Sequence, residues 1–319
     1  MRRFGVAVVC ALVVSATSVH AQEFPSSTVR LLVPFAAGGP TDVVARILAD
    51  LLSARWNKPV VVENRPGAGT IVMTTAVAKA APDGHTLGVA TNSLLINPAI
   101  GMKLPYETFR EIAGVTMIAT QPVALVAHKT FPADTLSEVV GLAKKAAEPL
   151  NYTSPGPRGV GHLAGELLQQ KAGMRMTHIN YNGSAPALTD VIAGRVPLMF
   201  DIWHSARRYV DSGELKLIAG AGPDPLPGAE AVAVIDKTYP GFTVVAFNAV
   251  IAPAGTPSAV LDRLSAEIRA VVTAPAFAER TRALGINAWG TTPKELDAWF
   301  AAETAKWAEI AKAANLKAE

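Results

Sequence analysis

The sequence is poor in cysteine, with Cys10 as its single thiol among 319 residues. Cys10 lies in an apolar N-terminal stretch that we expect to be removed, so the mature chain would carry no thiol. This excludes disulfides, thiolate metal sites and cysteine nucleophiles from the mature protein. A chain of about 300 residues without disulfides must rest on a large apolar core, and its length favours two domains.

Excess charge and long apolar runs are lacking as well. The chain holds 29 basic and 26 acidic residues, and loss of Arg2 and Arg3 with the leader leaves 27 basic ones. No basic run or basic–aromatic stripe is present, which argues against a nucleic-acid partner. Although 50% of the residues are hydrophobic, no run after residue 21 has the length of a membrane span.

Motifs of catalysis and cofactor binding are also missing. The sequence has no G-x-S-x-G elbow, no H-E-x-x-H pair and no G-x-x-x-x-G-K-[ST] loop. The run Gly67-Ala68-Gly69 lacks the third glycine of a dinucleotide-binding turn. The six histidines are scattered, with none at helical metal-ligand spacing. We therefore expect no cofactor, no metal and no catalytic residue, and the prediction is a protein that is not an enzyme.

The N-terminus has the pattern of an export signal. Arg2 and Arg3 precede an apolar stretch at residues 4–14, and small residues then lead to Ala21. This pattern predicts a signal peptide over residues 1–21, cleaved after Ala21, and a periplasmic mature protein. A membrane anchor is the alternative, but the apolar stretch is too short to span a bilayer.

The rest of the chain alternates strand-like and helix-like segments. Strands are predicted at residues 28–34, 58–63, 85–91, 123–127, 150–153, 177–180, 196–200, 216–219 and 246–252. Helices are predicted at residues 40–56, 70–80, 136–147, 160–171, 185–193, 204–212, 257–273, 275–284 and 293–314. This alternation indicates an α/β protein of βαβ units with mostly parallel sheets, whose binding crevice lies beyond the carboxyl ends of the strands.

The first candidate ligand loop joins the first strand to the first helix, and its residues are Phe35, Ala36, Ala37, Gly38, Gly39, Pro40, Thr41 and Asp42. Two glycines allow the backbone to approach a ligand closely, and Pro40 suits the first helical position. Free N–H groups and the helix dipole favour an anion such as a carboxylate. Asp42 would cap the backbone or order a ligand donor, and an ordinary helix start is the other interpretation.

The second candidate loop also follows a strand and opens a helix, and its residues are Ser154, Pro155, Gly156, Pro157, Arg158, Gly159, Val160, Gly161 and His162. Arg158 is the one cation of the strand-end loops and can pair bidentately with a carboxylate or point to solvent. His162 is either a ligand contact or a buried, hydrogen-bonded structural residue.

Polar groups from other strand ends complete the candidate site. They are Asn92, Asn97, Tyr181, Gly183 and Asp201, followed by Trp203. The indole of Trp203 can stack on a flat ligand, or Trp203 can be a lobe-packing residue.

Taken in order, several segments resemble one known family over residues 29 to about 314. They are VRLLVPFAAGGPTD with Arg46 four residues on, VVVENRPGAG, AKAAPDGHTL, NYTSPG with GHLAGELL, INYNGSAPALTDVIAGRVPLMFD and VIAPAGTP. The chain resembles the Bug proteins, which are substrate-binding receptors of tripartite tricarboxylate transporters. Each segment is weak evidence alone, but their order and spacing are specific.

The resemblance implies a type II periplasmic-binding-protein fold, with two α/β lobes around a cleft and two crossing strands. We place the crossings near residues 121–126 and 245–251, with lobe 1 formed by residues 22–121 and 246–319 and lobe 2 by residues 122–245. In this family a ligand carboxylate is held largely by backbone groups and ordered waters of the glycine-containing first loop.

The second loop departs from the family pattern S-x-G-x-G-S/T. Arg158 stands where the second glycine is expected, and Gly159 stands where the hydroxyl is expected. Trp203 and His204 replace smaller residues after Asp201. We therefore predict that Arg158 binds a distal carboxylate and that Trp203 faces a flat or aromatic acid.

The sequence thus predicts a periplasmic receptor that closes on a small organic acid, namely a di- or tricarboxylate, an amino acid or an aromatic acid. Its expected partners are membrane permease subunits or a sensor kinase, and a monomer is expected. The main alternative is a secreted α/β hydrolase that uses Ser154 or Ser184 with His162 or His178 and an aspartate. A purely structural envelope protein is the third interpretation.

Overall fold

The strands and helices are taken from a computed structural model that describes residues 24–181, 183–282, 284–314 and 316. The predicted signal peptide and its cleavage site lie outside these residues. The strands are β1 (Val29–Val33), β2 (Val60–Asn64), β3 (Thr86–Ala90), β4 (Ile112–His128), β5 (Leu150–Thr153), β6 (Met176–Ile179), β7 (Leu198–Ile202), β8 (Leu215–Gly220), β9 (Val245–Pro253) and β10 (Asn287–Ala288).

Helices follow most of the strands, as the alternating pattern predicts. They are α1 (Pro40–Trp56), α2 (Ile71–Ala78), α3 (Ser93–Ala99), α4 (Thr108–Glu111), α5 (Leu136–Lys145), α6 (Val160–Ala172), α7 (Ser184–Ile192), α8 (Trp203–Asp211), α9 (Ile235–Thr238), α10 (Ser258–Val272), α11 (Pro275–Arg282) and α12 (Pro293–Ala313). The short helices α3, α4 and α9 and the strand β10 were not predicted from the sequence.

The long strand β4 joins two groups of strands. Residues 112–122 pair antiparallel with β9, and residues 123–128 pair antiparallel with β7 and β8. In the first group β1 is parallel to β2 and β3, and in the second group β5 is parallel to β6 and β7. The resulting order is β2-β1-β3-β9-β4-β7-β5-β6, with β8 and β10 also on β4.

The expectation of mostly parallel sheets is wrong for the two long strands. Every described pairing of β4 is antiparallel, and β9 is antiparallel to both β3 and β4. The physical reason is that β4 and β9 are not members of βαβ units, because each connects one strand group to the other. The lobe boundaries at residues 121/122 and 245/246 stay a proposal, which the change of partners at residues 122/123 supports.

Strand directions bring the two candidate loops to the junction of the groups. Because β3 and β4 are both antiparallel to β9, β1 and β3 run toward the second group. Because β7 is antiparallel to β4, β5, β6 and β7 run toward the first group. The carboxyl ends of both sets of strands therefore point to the same region, which lies level with residues 120–123 of β4.

Apolar helix faces cover the sheet and form its core. In α1 the side chains of Val44, Ile47, Leu48 and Leu52 recur at helical spacing and are buried. They pack in one cluster with β1, α10 and α11. A second cluster continues from α3 and α12 into α5 and α6 of the other strand group, and a third lies under α7 and α8. These layers leave the strand-end loops at the edge of the core.

Candidate functional site

The first loop (residues 35–42) is folded by the carboxylate of Asp42. This side chain is 2% exposed, and its Oδ2 accepts hydrogen bonds from the Gly38 N–H (2.9 Å) and from Arg46 Nε (2.8 Å). Its Oδ1 accepts from Asn64 Nδ2 at 2.8 Å. Burial raises the pKa of Asp42, but the bonds from Arg46, Gly38 and Asn64 outweigh it and leave that pKa lowered. Asp42 therefore shapes the loop, as the capping alternative predicts.

Free backbone donors remain where the first loop enters α1. Gly39 precedes the helix in an extended conformation without a side-chain cap, and Pro40 occupies the first turn. In the part of the chain that the structure describes, the N–H groups of Gly39 and Thr41 donate to no protein acceptor. Around them the side chains of Phe35 and Ala37 are exposed. Unpaired N–H groups at the start of a 17-residue helix form an environment that favours an anion.

Two predicted site asparagines act as tethers within the first strand group. Asn92 donates to the Val245 carbonyl (3.0 Å) and accepts from the Phe247 N–H (3.2 Å), so it fixes the end of β3 to β9. Asn97 donates to the Gly69 carbonyl at 3.1 Å. Both side chains are buried, and both therefore position backbone around the site.

A polar pair on the crossing strands was missed by the sequence reasoning. Gln121 of β4 donates to Asn248 Oδ1 of β9 at 2.6 Å, and Asn248 Nδ2 donates to Thr41 Oγ1 at 3.2 Å. Gln121 Oε1 is buried and has no partner among the described residues. The signal was available, because Gln121 and Asn248 are amides inside strands made mostly of apolar residues.

Two histidines, His162 and His178, form hydrogen bonds that hold the second loop (residues 154–162). Ser154 Oγ lies 2.8 Å from His178 Nε2 and donates to the Gly156 carbonyl at 3.0 Å. The N–H of Arg158 donates to His162 Nδ1 at 2.9 Å, while Arg158 itself has a left-handed φ of 59°. His162 is buried, which agrees with the structural alternative for this residue.

The two histidines form a stacked imidazole pair. The ring centroids of His162 and His178 are 3.9 Å apart, and the planes differ by 10°. Below the pair, the Tyr152 hydroxyl donates to Glu166 Oε1 at 2.9 Å, and the same carboxylate oxygen is 3.6 Å from His162 Nε2. Burial raises the pKa of Tyr152. Burial also raises the pKa of Glu166, but bonds from His162 and Tyr152 outweigh it and leave that pKa lowered.

Close packing brings the second loop onto neighbouring strands. A Cβ on Gly161 would lie 2.6 Å from the Phe200 carbonyl oxygen, so only glycine lets α6 approach the end of β7. The Gly183 N–H donates to the Pro155 carbonyl at 2.6 Å and joins the second loop to the loop after β6. Backbone of Gly156 also lies beside Tyr181, because a Cβ on Gly156 would be 3.7 Å from the Tyr181 carbonyl oxygen. The structure thus gathers these predicted residues at the ends of β5, β6 and β7, namely Ser154, Gly156, Arg158, Gly159, His162, Tyr181, Gly183 and Asp201.

Asp201 and Tyr181 have their own partners at these strand ends. Asp201 Oδ1 accepts from Ser184 Oγ (2.9 Å) and from the Ile202 N–H (2.8 Å), while its buried Oδ2 has no partner among the described residues. Burial raises the pKa of Asp201 to about 7, and the bonds from Ser184 and Ile202 oppose that rise. The Tyr181 hydroxyl is turned to Asp190, to which it donates at 2.5 Å.

Trp203 lies in the apolar core and not with the loops. It is 1% exposed and belongs to the cluster under α7 and α8. Its Nε1 donates to the Pro227 carbonyl at 2.9 Å, so the polar end of the indole is already satisfied. These contacts match the packing alternative, and they give no support to the expectation that Trp203 faces a flat acid.

One surface concavity lies apart from the predicted residues. It has a volume of about 500 Å³ and lies beside α3 and α4, where Met102, Leu104, Tyr106 and Phe109 are among its lining residues. None of the predicted ligand residues lines it. Within the described ranges no helix has the length and apolarity needed to cross a bilayer.

The fold and the site together define a class of protein. Two strand groups share long crossing strands, and glycine-containing loops from both groups converge at the junction. This is the architecture of a two-lobed α/β solute-binding protein whose ligand is held between strand-end loops.

Sequence comparison then identifies the family. Residues 44–316 match the model of the tripartite tricarboxylate transporter family receptor, so the chain belongs to that family. A protein encoded in the tcbD–tcbE intergenic region of Pseudomonas sp. (strain P51) is 35% identical, over 94% of this chain and 91% of that protein. Relatives named BugT and BugD also match, which confirms the resemblance to the Bug proteins. The chain is a periplasmic solute-binding protein of this family.

Solved structures agree with this assignment. Rpa4515 of R. palustris with adipate is 28% identical and has a TM-score of 0.85, covering 93% of this chain and 100% of that one. MatC from Rhodopseudomonas palustris with bound malate is 30% identical and has a TM-score of 0.79, covering 90% and 99%. These matches confirm the type II periplasmic-binding-protein fold.

Proposed function

We propose that this receptor captures a small dicarboxylate in the periplasm and presents it to a membrane permease or to a sensor, without chemical turnover. The observation that carries the proposal is the set of free N–H groups at Gly39 and Thr41, at the start of α1. Two structural neighbours were solved with dicarboxylates, namely adipate and malate. One ligand carboxylate would dock on these donors without any side-chain cation.

Arg158 is the proposed partner of the second carboxylate. No carboxylate among the described residues pairs with its guanidinium, whereas its backbone N–H is bound by His162. The loop that carries it faces the junction from the second strand group. A guanidinium that closes on a distal carboxylate would provide two charge-assisted hydrogen bonds.

The hydrolase alternative has one contact in its favour, between Ser154 and His178. Ser154 Oγ lies 2.8 Å from His178 Nε2, but Ser154 is fully buried and its hydroxyl donates to Gly156. His178 Nδ1 has no carboxylate partner among the described residues, so the third member of a triad does not orient this imidazole. We therefore propose binding and not catalysis for these residues.

The test is a thermal-shift screen of the mature protein, residues 22–319, against monocarboxylates, di- and tricarboxylates, amino acids and aromatic acids. A ligand that binds the folded state alone stabilises it by about 2.7 kcal/mol at a hundredfold excess over Kd. We expect a saturable rise in Tm with dicarboxylates and no loss of the acid on long incubation. Consumption of the acid would support the hydrolase. An unchanged Tm with every acid in the panel would contradict the receptor proposal.

Substitution of Arg158 tests the second carboxylate contact. We expect Arg158→Ala to raise Kd for the dicarboxylate about tenfold or more, because a charge-assisted pair is lost, and to leave a monocarboxylate analogue unaffected. Arg175→Ala is the matched control, since Arg175 is exposed at the opposite end of α6. Unchanged affinity of Arg158→Ala for every bound acid would refute the assignment.

A further inference from the structure

The imidazole pair, His162 and His178, has no part in the proposed ligand contacts, yet it supports the beginning and the middle of the second loop. His178 meets Ser154, where the loop begins, and His162 meets the backbone of Arg158, near its middle. The rings stack at 3.9 Å, with His162 buried and His178 partly buried. An arrangement of this kind ties the shape of the loop to the hydrogen bonds of two imidazoles.

The hydrogen bonds of the second loop fit two neutral rings. The single hydrogen of Ser154 Oγ goes to the Gly156 carbonyl, so Ser154 Oγ accepts from His178 Nε2–H. His178 Nδ1 is then bare and buried without a hydrogen bond of good geometry, and the nearby Asn180 side chain is a group that favours a charged ring. His162 Nδ1 must also be bare, because it accepts the Arg158 N–H at 2.9 Å. An imidazolium has two donors, so a proton added at His178 Nδ1 creates a buried donor, and the cost of burial outweighs the favourable effect of Asn180.

We propose that the imidazole pair is the positioning device of the second loop, and that protonation of His178 on acidification loosens this loop and weakens capture of the organic acid. The part that concerns the acid rests on the proposed function, whereas the response of the loop does not. The residues involved touch the loop and not the ligand, so His162 and His178 act as positioning residues.

Ionisable groups around the pair come from several elements. Tyr152 of β5 lies 5.0 Å, centroid to centroid, from His178, and Glu166 of α6 lies near His162. The helix α12 packs against α6 and carries the ion pair of Glu303 and Lys306, whose ammonium also donates to the Thr243 carbonyl at 3.1 Å.

Three more polar groups lie near the pair, and none supplies a second anion to it. Asn180 follows β6, Asp201 of β7 is bound by Ser184, and Arg158 contributes its backbone N–H. Glu166 is therefore the one carboxylate among the described residues that contacts the pair, and its Oε1 is shared with Tyr152.

The direction of the pH response follows from His178. Burial lowers its pKa to about 4, and His162 lowers it as well, whereas Asn180 and Glu166 act in the opposite direction. The unfolded chain has the ordinary value of 6.5, so between these two values it binds more protons than the folded chain. Stability supplied by the neutral imidazole is complete above pH 6.5 and is lost as the pH falls toward 4.

Hydrogen–deuterium exchange of the ligand-free mature protein tests the loop directly. The second loop is compared with the first loop at pH 7.5 and pH 5.0, after correction for the intrinsic pH dependence of exchange. We expect the protection of residues 154–162 to fall about fivefold or more at pH 5.0, while residues 35–42 keep theirs. Equal protection of the second loop at both pH values would overturn the proposal.

Two histidine variants assign the effect. His178→Gln keeps an N–H donor toward Ser154 but does not titrate, so its second loop should lose the response to pH. His128→Gln is the control, since the side-chain hydrogen bonds of His128 among the described residues go to Thr130 in its own turn and not to the second loop. A His178→Gln protein with the native pH response would show that the pair is merely structural.

Affinity for adipate and malate, measured by calorimetry at the same two pH values, connects the loop to the ligand. We expect the native protein to lose up to about tenfold in affinity per pH unit across the transition and His178→Gln to lose less. Protonation of the acid itself is common to all variants and cancels in this comparison. If neither acid binds any variant, the proposed function fails for these acids, and the exchange experiment still decides the role of the pair.

Discussion

The first and second loops follow the same path from a strand to a helix, but the side chains that hold them differ in charge. Each leaves the carboxyl end of a strand, turns through a left-handed residue and enters a helix. The first loop is folded by a charged side chain, Asp42, which is bound to Arg46 and Asn64. The second loop is folded by two neutral imidazoles, His162 and His178.

This difference separates the pH ranges in which the two loops are stable. The lowered pKa of Asp42 keeps the carboxylate charged, so its bonds are lost only as the pH falls through that lowered value. The neutral form of His178 is lost in a higher range, between 6.5 and about 4. A receptor with both supports keeps its first loop formed while the second responds to mild acid.

The largest expected effect comes from breaking the packing under the second loop. A Cβ on Gly165 of α6 would lie 2.1 to 2.5 Å from ring atoms and the hydroxyl oxygen of Tyr152, which holds Glu166 beside His162. We expect Gly165→Ala to destabilise the protein by about 2–3 kcal/mol through overpacking, measured by thermal unfolding. Gly141→Ala in α5 is the control, because a Cβ there meets nothing within 4 Å, and it should stabilise by about 0.5–1 kcal/mol. Equal effects of the two substitutions would contradict this packing argument.

An intermediate effect is expected when the charge of Asp42, which folds the first loop, is removed. Asp42→Asn places an NH₂ group against donors, since Gly38, Arg46 and Asn64 all donate to the carboxylate. We expect a loss of about 1.5–3 kcal/mol at pH 7, measured by urea unfolding. Because the pKa of Asp42 is lowered, this loss should shrink as the pH falls below its ordinary value of 3.8.

The matched control for this substitution lies on the same helix. Asp50→Asn removes an exposed partner of Arg280 and should change the free energy of unfolding by no more than about 0.5–1 kcal/mol. If Asp42→Asn were equally mild, the carboxylate would not be what folds the first loop.

The comparison also shows what the sequence could predict. Helix α1 was predicted with its observed bounds, since Pro40 marks its start and Val44, Ile47, Leu48 and Leu52 repeat at helical spacing. Strand β4 was predicted only over residues 123–127, because Gly114 and Pro122 interrupt its pattern. The structure explains both residues, since Gly114 lies against Leu296 of α12 and Pro122 stands where β4 changes partners.

Within the candidate site, local patterns predicted the loops but not the contacts behind them. The Gly38-Gly39-Pro40 run was enough to predict a helix start near a ligand. By contrast, His178 lies 16 positions after His162, so no spacing rule indicated that their rings stack. Trp203 illustrates the same limit, because its burial depends on the packing of α7 and α8 and not on its neighbours in sequence.

The smallest expected effects come from substituting the residue with a left-handed φ in each of the two loops. Gly38 has a φ of 86° and open space around its missing Cβ, so Gly38→Ala should cost about 1 kcal/mol through the backbone alone. Arg158 has a φ of 59° without being glycine, so Arg158→Gly should stabilise the ligand-free protein by about 0.5 kcal/mol. Gly173→Ala, at a left-handed position with equally open surroundings, is the control for Gly38→Ala.

Thermal unfolding of these variants with and without adipate separates backbone strain from ligand binding. We expect Arg158→Gly to raise the Tm of the free protein and to reduce the further rise on adding adipate, because strain is relieved while the guanidinium is lost. Such a pair of shifts would indicate that the second loop keeps a strained arginine for the sake of its ligand. A lower Tm of the free protein would instead mean that the Arg158 side chain stabilises the fold, and the contrast between the two loops would then be one of packing.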